Sequence, residues 1–334
     1  MKIGICGDIH YCINSSLITG KGEVYSKRIE NCIKSINWFE DFTKNCDMNI
    51  YLGDFFDKSS LCAEELTSIK NIKWNKIPKY FLVGNHEMGQ ADLTTNSVNA
   101  LSTIGNVIDT PCLLDGYTIG FLPYILNIDR KPLKDYFGGS KLPKYIFSHN
   151  DLKGIQMGSF ESKEGFDISE VTSECKMFFN GHIHNGSKIS DNILNVGNLT
   201  GQNFSEDAFK YQHRIYILDT NTGEIEDYIN PFAYNFIKAK IDNLNELDLS
   251  IIDNIVISVT CSDNDLVVLK SQIDKCSKIV ASRINVISEI NSPTKVELLK
   301  KDLQVDHIKQ FVEYMIEHIG NTDIVKTELE EIIK

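Results

Sequence analysis

Short, mostly apolar runs alternate with amphipathic stretches in the N-terminal part of the chain. Residues 2–6, 48–52 and 79–83 have the length and composition of buried strands. Apolar residues at helical spacing predict an amphipathic helix within residues 25–46, and a mixed segment at 60–72 predicts a second helix. This alternation of strand and helix predicts right-handed crossovers and a parallel sheet.

A second pattern begins after a polar helix predicted over residues 91–104. The predicted short strands and hairpins lie at residues 107–108, 117–122, 145–147, 177–179, 186–196 and 213–218. Such a series predicts a second sheet packed on the first. The predicted fold class is therefore α/β, a two-sheet α/β/β/α sandwich.

The character of the sequence changes near Pro231. A strand at 255–260, a helix at 265–276 and a strand at 284–290 predict a small α+β accessory domain without a cluster of potential ligands. The charged tail that follows carries two predicted helices, 305–319 and 323–333. The apolar stripe of the first predicts packing on this chain or docking on another protein. The predicted domains are residues 1–232, 233–292 and 293–334.

Composition and charge narrow the classes of function. The 334 residues, 42% of them hydrophobic, are enough for one large domain and a smaller one. The net charge of -12 argues against unaided binding of nucleic acid, so a polyanionic substrate would need bound metal or a basic partner. No apolar run reaches the roughly 20 residues of a membrane helix. The N-terminus lacks signal-peptide features, and nine cysteines without CxxC spacing predict reduced thiols in the cytoplasm.

Potential ligands follow five of the predicted strands. They are Asp8, His10, Asp54, Asn85, His86, His149, His182 and His184. Each alone has an ordinary explanation, since Asp and Asn favour turns and a single His is usually structural. Because strand ends meet at one edge of a sheet, we expect these side chains to converge. Imidazole and carboxylate suit Mn²⁺, Fe²⁺ or Zn²⁺, and a pair of such ions can hold a phosphate ester and activate water. The predicted reaction is phosphoester hydrolysis.

The ordered motifs carry a resemblance that covers about the first two-thirds of the chain. Asp8-Ile9-His10, Gly53-Asp54, Gly84-Asn85-His86-Glu87, His149 and Gly181-His182-Ile183-His184 resemble the calcineurin-like metallophosphoesterase superfamily. The resemblance implies that Asp8, His10 and His184 bind one metal ion. It implies Asn85, His149 and His182 on the other, with Asp54 bridging. His86 would contact the phosphate and protonate the leaving oxygen. Asp57 is expected to support a ligating histidine.

A narrower resemblance involves the segment Gly53-Asp54-Phe55-Phe56-Asp57, which is similar to SbcD-type DNA double-strand-break repair nucleases. In size and layout the chain resembles the phage members, recombination endonuclease subunits that act with an SMC-like ABC ATPase. This implies a Mn²⁺-dependent DNA nuclease (exonuclease/endonuclease), with Mg²⁺, Fe²⁺ or Zn²⁺ as alternative ions. It further implies a cytoplasmic homodimer paired through residues 60–72 and 91–104, a DNA-capping domain at 233–292 and ATPase binding by the C-terminal helices.

Two alternatives stay open. The first is a stand-alone phosphodiesterase or phosphatase of the same superfamily that acts on small molecules; the second is a scaffold whose metal site only stabilises the fold. Two departures from the family pattern concern substrate contacts: Glu87 replaces the more frequent Asp, and Gly197-Asn198 replaces Gly-Ser or Gly-Thr. Cys6 is expected to be buried filler and His213 a surface residue.

Overall fold

A computed structural model of the chain describes residues 1–90, 92–157, 160–172, 175–244 and 247–287. One compact unit consists of Met1–Cys261 and Val267–Asn285. Residues 262–266, 286 and 287 belong to a second unit, most of which lies outside the described residues. The helices predicted at 305–319 and 323–333 lie outside them as well.

The secondary structure comprises short strands and few long helices. The strands are β1 (Lys2–Cys6), β2 (Met48–Tyr51), β3 (Lys79–Leu82), β4 (Met88–Gly89), β5 (Asp92–Asn96), β6 (Asn106–Ile108), β7 (Cys112–Leu114), β8 (Ile119–Leu122), β9 (Tyr145–Ser148), β10 (Gln156–Met157), β11 (Phe160–Glu161), β12 (Met177–Asn180), β13 (Ser187–Ser190), β14 (Ile193–Asn195), β15 (Arg214–Asp219), β16 (Ile225–Ile229), β17 (Asn235–Lys240), β18 (Ile255–Ser262) and β19 (Ile279–Ile287). The α-helices are α1 (Lys27–Phe42), α2 (Ala63–Ser68), α3 (Ile168–Thr172), α4 (Ile241–Leu244) and α5 (Leu266–Lys275). The 3₁₀ helices are Ile69–Asn71, Ser97–Leu101, Asn127–Asp129, Leu133–Phe137, Leu249–Ile251 and Asp263–Asp265.

Two six-stranded sheets carry the site. The first has the order β16-β15-β1-β2-β3-β6, in which β1, β2, β3 and β6 are parallel. The second has the order β13-β14-β12-β9-β8-β7, with β8, β9, β12 and β14 parallel. The carboxyl ends of the parallel strands in each sheet therefore share one edge, where such folds place ligands.

The sheets pack face to face through a shared apolar layer. Ile5 of β1 and Ile50 of β2 lie in one buried cluster with Phe121, Phe147 and Phe179 of the second sheet. On the other face of the first sheet, α1 packs residues such as Ile36 and Phe39 against the strands. A third cluster, which includes Val171 of α3, covers the outer face of the second sheet. The predicted two-sheet α/β sandwich is confirmed.

The helix predicted over 91–104 is wrong within the described residues. β4 and β5 form a hairpin there, and a 3₁₀ helix of Ser97–Leu101 follows. The β-branched pair Thr94 and Thr95 disfavours helix. The Asn96 side chain accepts a hydrogen bond from the Asn99 N–H and begins the short helix only after it. Three strands escaped prediction, β7, β16 and β17.

The accessory sheet has the order β17-β18-β19. Its strand predicted at 255–260 and its helix predicted at 265–276 correspond to β18 and α5. β19 begins at Ile279, earlier than the predicted 284. Ile18, in the loop that follows β1, packs against Phe236 of β17 and Val256 of β18. This sheet therefore contacts a loop that starts only a few residues after His10.

Candidate metal centre

The loops after β1 and β2 are joined by backbone hydrogen bonds. The His10 N–H donates to the Asp54 carbonyl at 2.9 Å, and the Tyr11 N–H donates to the Phe55 carbonyl at 2.7 Å. The second sheet joins the same point, because the His182 N–H donates to the Asp8 carboxylate at 2.9 Å. These bonds hold the strand-end residues together independently of any bound ion.

The backbone at the site has an unfavourable conformation. Among the described non-glycine residues, seven have positive φ, and four of these are predicted ligands. The angles are 45° at Asp8, 49° at His10, 46° at Asp54 and 72° at His182. Left-handed backbone costs L-residues free energy, and such residues collect at functional sites.

Two glycines beside Asp54 are required by close approach. A Cβ on Gly84 would overlap Asp54 Oδ1, and a Cβ on Gly53 would overlap His149 Nδ1. Gly53 also has a φ of 88°, which favours glycine. Larger residues at these positions would displace the ligands.

One cluster of potential metal ligands consists of Asp8, His10 and His184, whose candidate atoms lie within 4.8 Å of one another. His10 Nδ1 lies 2.9 Å from Asp57 Oδ1, and His184 Nδ1 lies 3.2 Å from Glu206 Oε1. Each ring therefore keeps Nε2 for a cation. His10 Nε2 is buried and has no hydrogen-bond partner in the described part of the chain. A buried, unpaired imidazole nitrogen beside carboxylates fits a metal ligand.

A second cluster consists of Asp54, His149 and His182. His149 Nε2 lies 3.1 Å from Asp54 Oδ2 and 3.2 Å from Asn85 Oδ1, and His182 Nδ1 lies 2.9 Å from the same amide oxygen. Nitrogen and oxygen atoms thus face a common point, as a borderline divalent ion requires. The donor set fits a divalent cation.

Asp54 lies between the two clusters. Its Oδ2 is 3.1 Å from His149 Nε2 and 3.9 Å from His10 Nε2, and its Oδ1 accepts the His86 N–H at 3.1 Å. A single carboxylate thus faces imidazoles from both clusters. This is the arrangement that a ligand shared by two cations requires.

His86 differs from the other histidines because it is exposed. Its Nδ1 lies 3.0 Å from the Asp57 carbonyl oxygen, which leaves Nε2 available to a substrate. It also forms a candidate group with His10 and Asp54. Geometry alone therefore permits either a substrate contact or a metal contact for His86.

Three buried carboxylates around the site escaped sequence analysis. Asp151 Oδ1 lies 2.9 Å from His182 Nε2, and Glu206 contacts His184. Glu87 accepts the Phe56 and Gly84 N–H groups at 2.9 and 2.8 Å, joining the loops after β2 and β3. Only Asp151 had a sequence signal, its position two residues after His149. Glu206 lies in an irregular loop without a pattern.

Two further residues support the site loops. Arg28 of α1 is fully buried and donates to Thr200 Oγ1 and to the Gly201 carbonyl at 2.7 Å, and to the Ile9 carbonyl at 3.0 Å. It thus fixes the first loop to the loop after β14. The expectation that His213 lies on the surface is wrong: it is buried, with Nδ1 2.9 Å from the Asn198 carbonyl oxygen.

Charge coupling shifts the pKa values of several ligands. Burial disfavours the charged form of His149, but the adjacent Asp54 carboxylate outweighs it and raises the pKa of this imidazole to about 10. Burial also opposes ionisation of Asp54, yet His149 and His10 hold the pKa of its carboxyl well below the ordinary value. Burial lowers the pKa of His10.

We expect cation binding to release protons and to strengthen as pH rises. His149 is protonated at neutral pH in the metal-free protein, since its pKa of about 10 lies above that pH. A cation must displace this proton, so affinity should rise about tenfold for each pH unit below that pKa. Mn²⁺ titrations by calorimetry at about pH 6 and about pH 8, each in buffers of different ionisation enthalpy, would count the protons. Equal affinity at both pH values, without proton release, would contradict this coupling.

The fold and this ligand set together define a metal-dependent phosphoester hydrolase. The family model described as calcineurin-like phosphoesterase matches residues 1–195, more than half of the chain. The chain belongs to this family. Divalent metal ions serve its members, and the coarser prediction of a metal-dependent phosphoesterase is confirmed.

Individual relatives are distant. A protein of Invertebrate iridescent virus 6 named as a phosphoesterase, 244L, is 26% identical over 249 residues, which are 68% of this chain and 79% of that one. An archaeal phosphodiesterase of known structure is 15% identical with a TM-score of 0.35, over 69% of this chain and 99% of its own. For the protein TT1561 of Thermus thermophilus the values are 12%, 0.40, 68% and 98%.

The helices in the described ranges lack the combination of length and apolar character needed to cross a lipid bilayer.

Proposed function

We propose that this phosphoesterase is a Mn²⁺-dependent DNA nuclease of a recombination and double-strand-break repair complex. The observation that carries the chemistry is the position of Asp54 between two ligand clusters, which suits a pair of cations bound to one phosphodiester. The resemblance of residues 53–57 to SbcD-type nucleases supports DNA as the substrate. Two bound divalent cations would neutralise the phosphate and lower the pKa of an attacking water.

The residues of this chain have separate tasks in the proposed reaction. Asp8, His10 and His184 would hold one ion; Asn85, His149 and His182 would hold the other; Asp54 would bind both. Asp57 and Asp151 accept hydrogen bonds from ligating rings and fix their orientation. His86, exposed and with Nε2 available, would protonate the leaving oxygen as the ester bond breaks.

The accessory sheet supports a large substrate. The loop after β1 contacts it through Ile18, and the loop that contains Glu206 contacts it through Phe204, whose ring centroid lies 5.0 Å from that of Phe236. Arg283 of β19 lies over the Phe204 ring at 5.6 Å. Two site loops thus pack on the accessory sheet, as a domain that caps DNA would require.

The proposal includes partners that would offset the acidic charge. A homodimer and an SMC-like ABC ATPase, bound through residues 293–334, would supply the DNA affinity that a net charge of -12 does not favour. Residues 1–232 would then form the nuclease domain and residues 233–292 the capping domain. Mn²⁺ is the proposed ion because nitrogen and carboxylate ligands are mixed at the site.

One comparison of substrates tests the proposed function. Purified protein with Mn²⁺ should cleave end-labelled linear duplex DNA and also hydrolyse bis-p-nitrophenyl phosphate, because both present a phosphodiester to the same ions. Asp54→Asn protein, purified identically, controls for contaminating nuclease and should do neither. Denaturing gels and absorbance at the nitrophenolate band provide the readouts.

Two outcomes would contradict the nuclease. Turnover of the small ester without DNA cleavage, even after the ATPase is added, would indicate a small-molecule phosphodiesterase. Absence of metal-dependent turnover of either substrate would indicate a scaffold with a structural metal site.

A further inference from the structure

We propose that Glu206 and Gln202 are positioning residues for one of the two cations, the one assigned to Asp8, His10 and His184. The proposal rests on the two-cation function proposed above and adds residues outside the recognised motifs. Both residues lie in the loop between β14 and β15. Together they connect the two imidazoles of that cation site through carboxylates.

Glu206 is buried at the centre of this network. Its Oε1 lies 3.2 Å from His184 Nδ1 and accepts the Asn198 side-chain amide at 2.6 Å. Both of its oxygens accept the Gln202 backbone N–H at 3.0 Å. A carboxylate held by several donors can keep the His184 ring in one orientation, with Nε2 directed toward the cation.

Gln202 extends the network to the second imidazole. Its side-chain Nε2 donates to Asp57 Oδ1 at 2.5 Å, and the same oxygen lies 2.9 Å from His10 Nδ1. One residue therefore contacts Glu206 through its backbone and Asp57 through its side chain. The orientations of His10 and His184 are thus fixed by a single loop.

The imidazoles of the other cation use separate supports. His149 Nδ1 lies 2.6 Å from the Leu52 carbonyl oxygen, and His182 Nε2 lies 2.9 Å from Asp151 Oδ1. Loss of the Glu206 carboxylate should therefore weaken one cation and spare the other. This selectivity separates positioning from a general loss of stability.

The test is Mn²⁺ binding by Glu206→Gln protein, measured by calorimetry and by electron paramagnetic resonance. Wild type should bind two equivalents with the signature of a coupled Mn²⁺ pair. The variant should bind one equivalent roughly 10–100-fold more weakly and lose the coupled signature at limiting Mn²⁺. Asp151→Asn should weaken the opposite equivalent. Combined with Asp8→Asn, Glu206→Gln should add little, because both changes affect one site.

Glu40→Gln is the matched control. Glu40 of α1 is also a fully buried glutamate, but its partners are Asn49, Tyr51 and Lys79. This variant should lower the temperature of thermal unfolding while both Mn²⁺ equivalents stay at wild-type affinity. Gln202→Leu, which keeps the backbone N–H, should weaken the same equivalent as Glu206→Gln, by less.

Wild-type affinity for both equivalents in Glu206→Gln protein would overturn the inference, and so would an equal loss at both sites. If wild type itself bound fewer than two equivalents, the two-cation function would fail first, and the inference with it. The two failures are therefore distinguishable by comparing wild type with the variant.

Discussion

Asp54→Asn protein is expected to lose at least about 10³-fold in kcat/KM, since loss of charge stabilisation by metal costs several kcal/mol and each factor of ten corresponds to about 1.4 kcal/mol. The carboxylate faces both clusters, with Oδ2 3.1 Å from His149 Nε2 and 3.9 Å from His10 Nε2. An amide offers one neutral oxygen and cannot bridge two cations as well. Both Mn²⁺ equivalents should weaken together.

The comparison variant is Asp8→Asn. Asp8 belongs to one cluster only, so its loss should chiefly empty one site and leave the other measurable. Mn²⁺ stoichiometry from calorimetry, together with turnover of bis-p-nitrophenyl phosphate, provides the readout. If Asp54→Asn retained one full-affinity equivalent, Asp54 would not be shared between the ions.

The second large effect is expected at His86. A positioned general acid contributes about 10²–10⁴-fold, so His86→Ala should lower kcat on DNA by that factor. Nitrophenolate leaves readily without a proton, so hydrolysis of bis-p-nitrophenyl phosphate should fall much less. His86→Gln keeps a hydrogen-bonding side chain but cannot deliver a proton at neutral pH, and should resemble His86→Ala on DNA.

Mn²⁺ stoichiometry decides between the two geometries open to His86. Two equivalents in His86→Ala protein would support a role toward substrate. Loss of one equivalent, or equal loss of rate on both substrates, would instead make His86 a metal ligand, as its proximity to His10 and Asp54 permits.

Much of the centre could be predicted because its ligands follow buried strands. The apolar run before Gly53 predicts a strand, and the carboxyl ends of parallel strands must meet, so Asp54 and its companions were expected to converge. That signal is local. It needs no knowledge of which distant side chains pack nearby.

The supporting residues could not be predicted in the same way. Glu206 reaches His184 only after the loop between β14 and β15 has folded against the sheets, and Arg28 looks like an ordinary charged position of an amphipathic helix. The hairpin of β4 and β5 was missed because a polar segment with few apolar residues has weak periodicity. There, the turn residues and side-chain hydrogen bonds decided the structure.

The left-handed backbone at Asp8, His10, Asp54 and His182 has an evolutionary consequence. At roughly 1 kcal/mol or more per residue, these four positions oppose folding, whereas glycine would adopt the same angles freely. A lineage that no longer needed hydrolysis could therefore gain stability simply by losing its ligands. Decay of the site would be favoured by folding itself, so four intact side chains in this conformation indicate a chain still under selection for its chemistry.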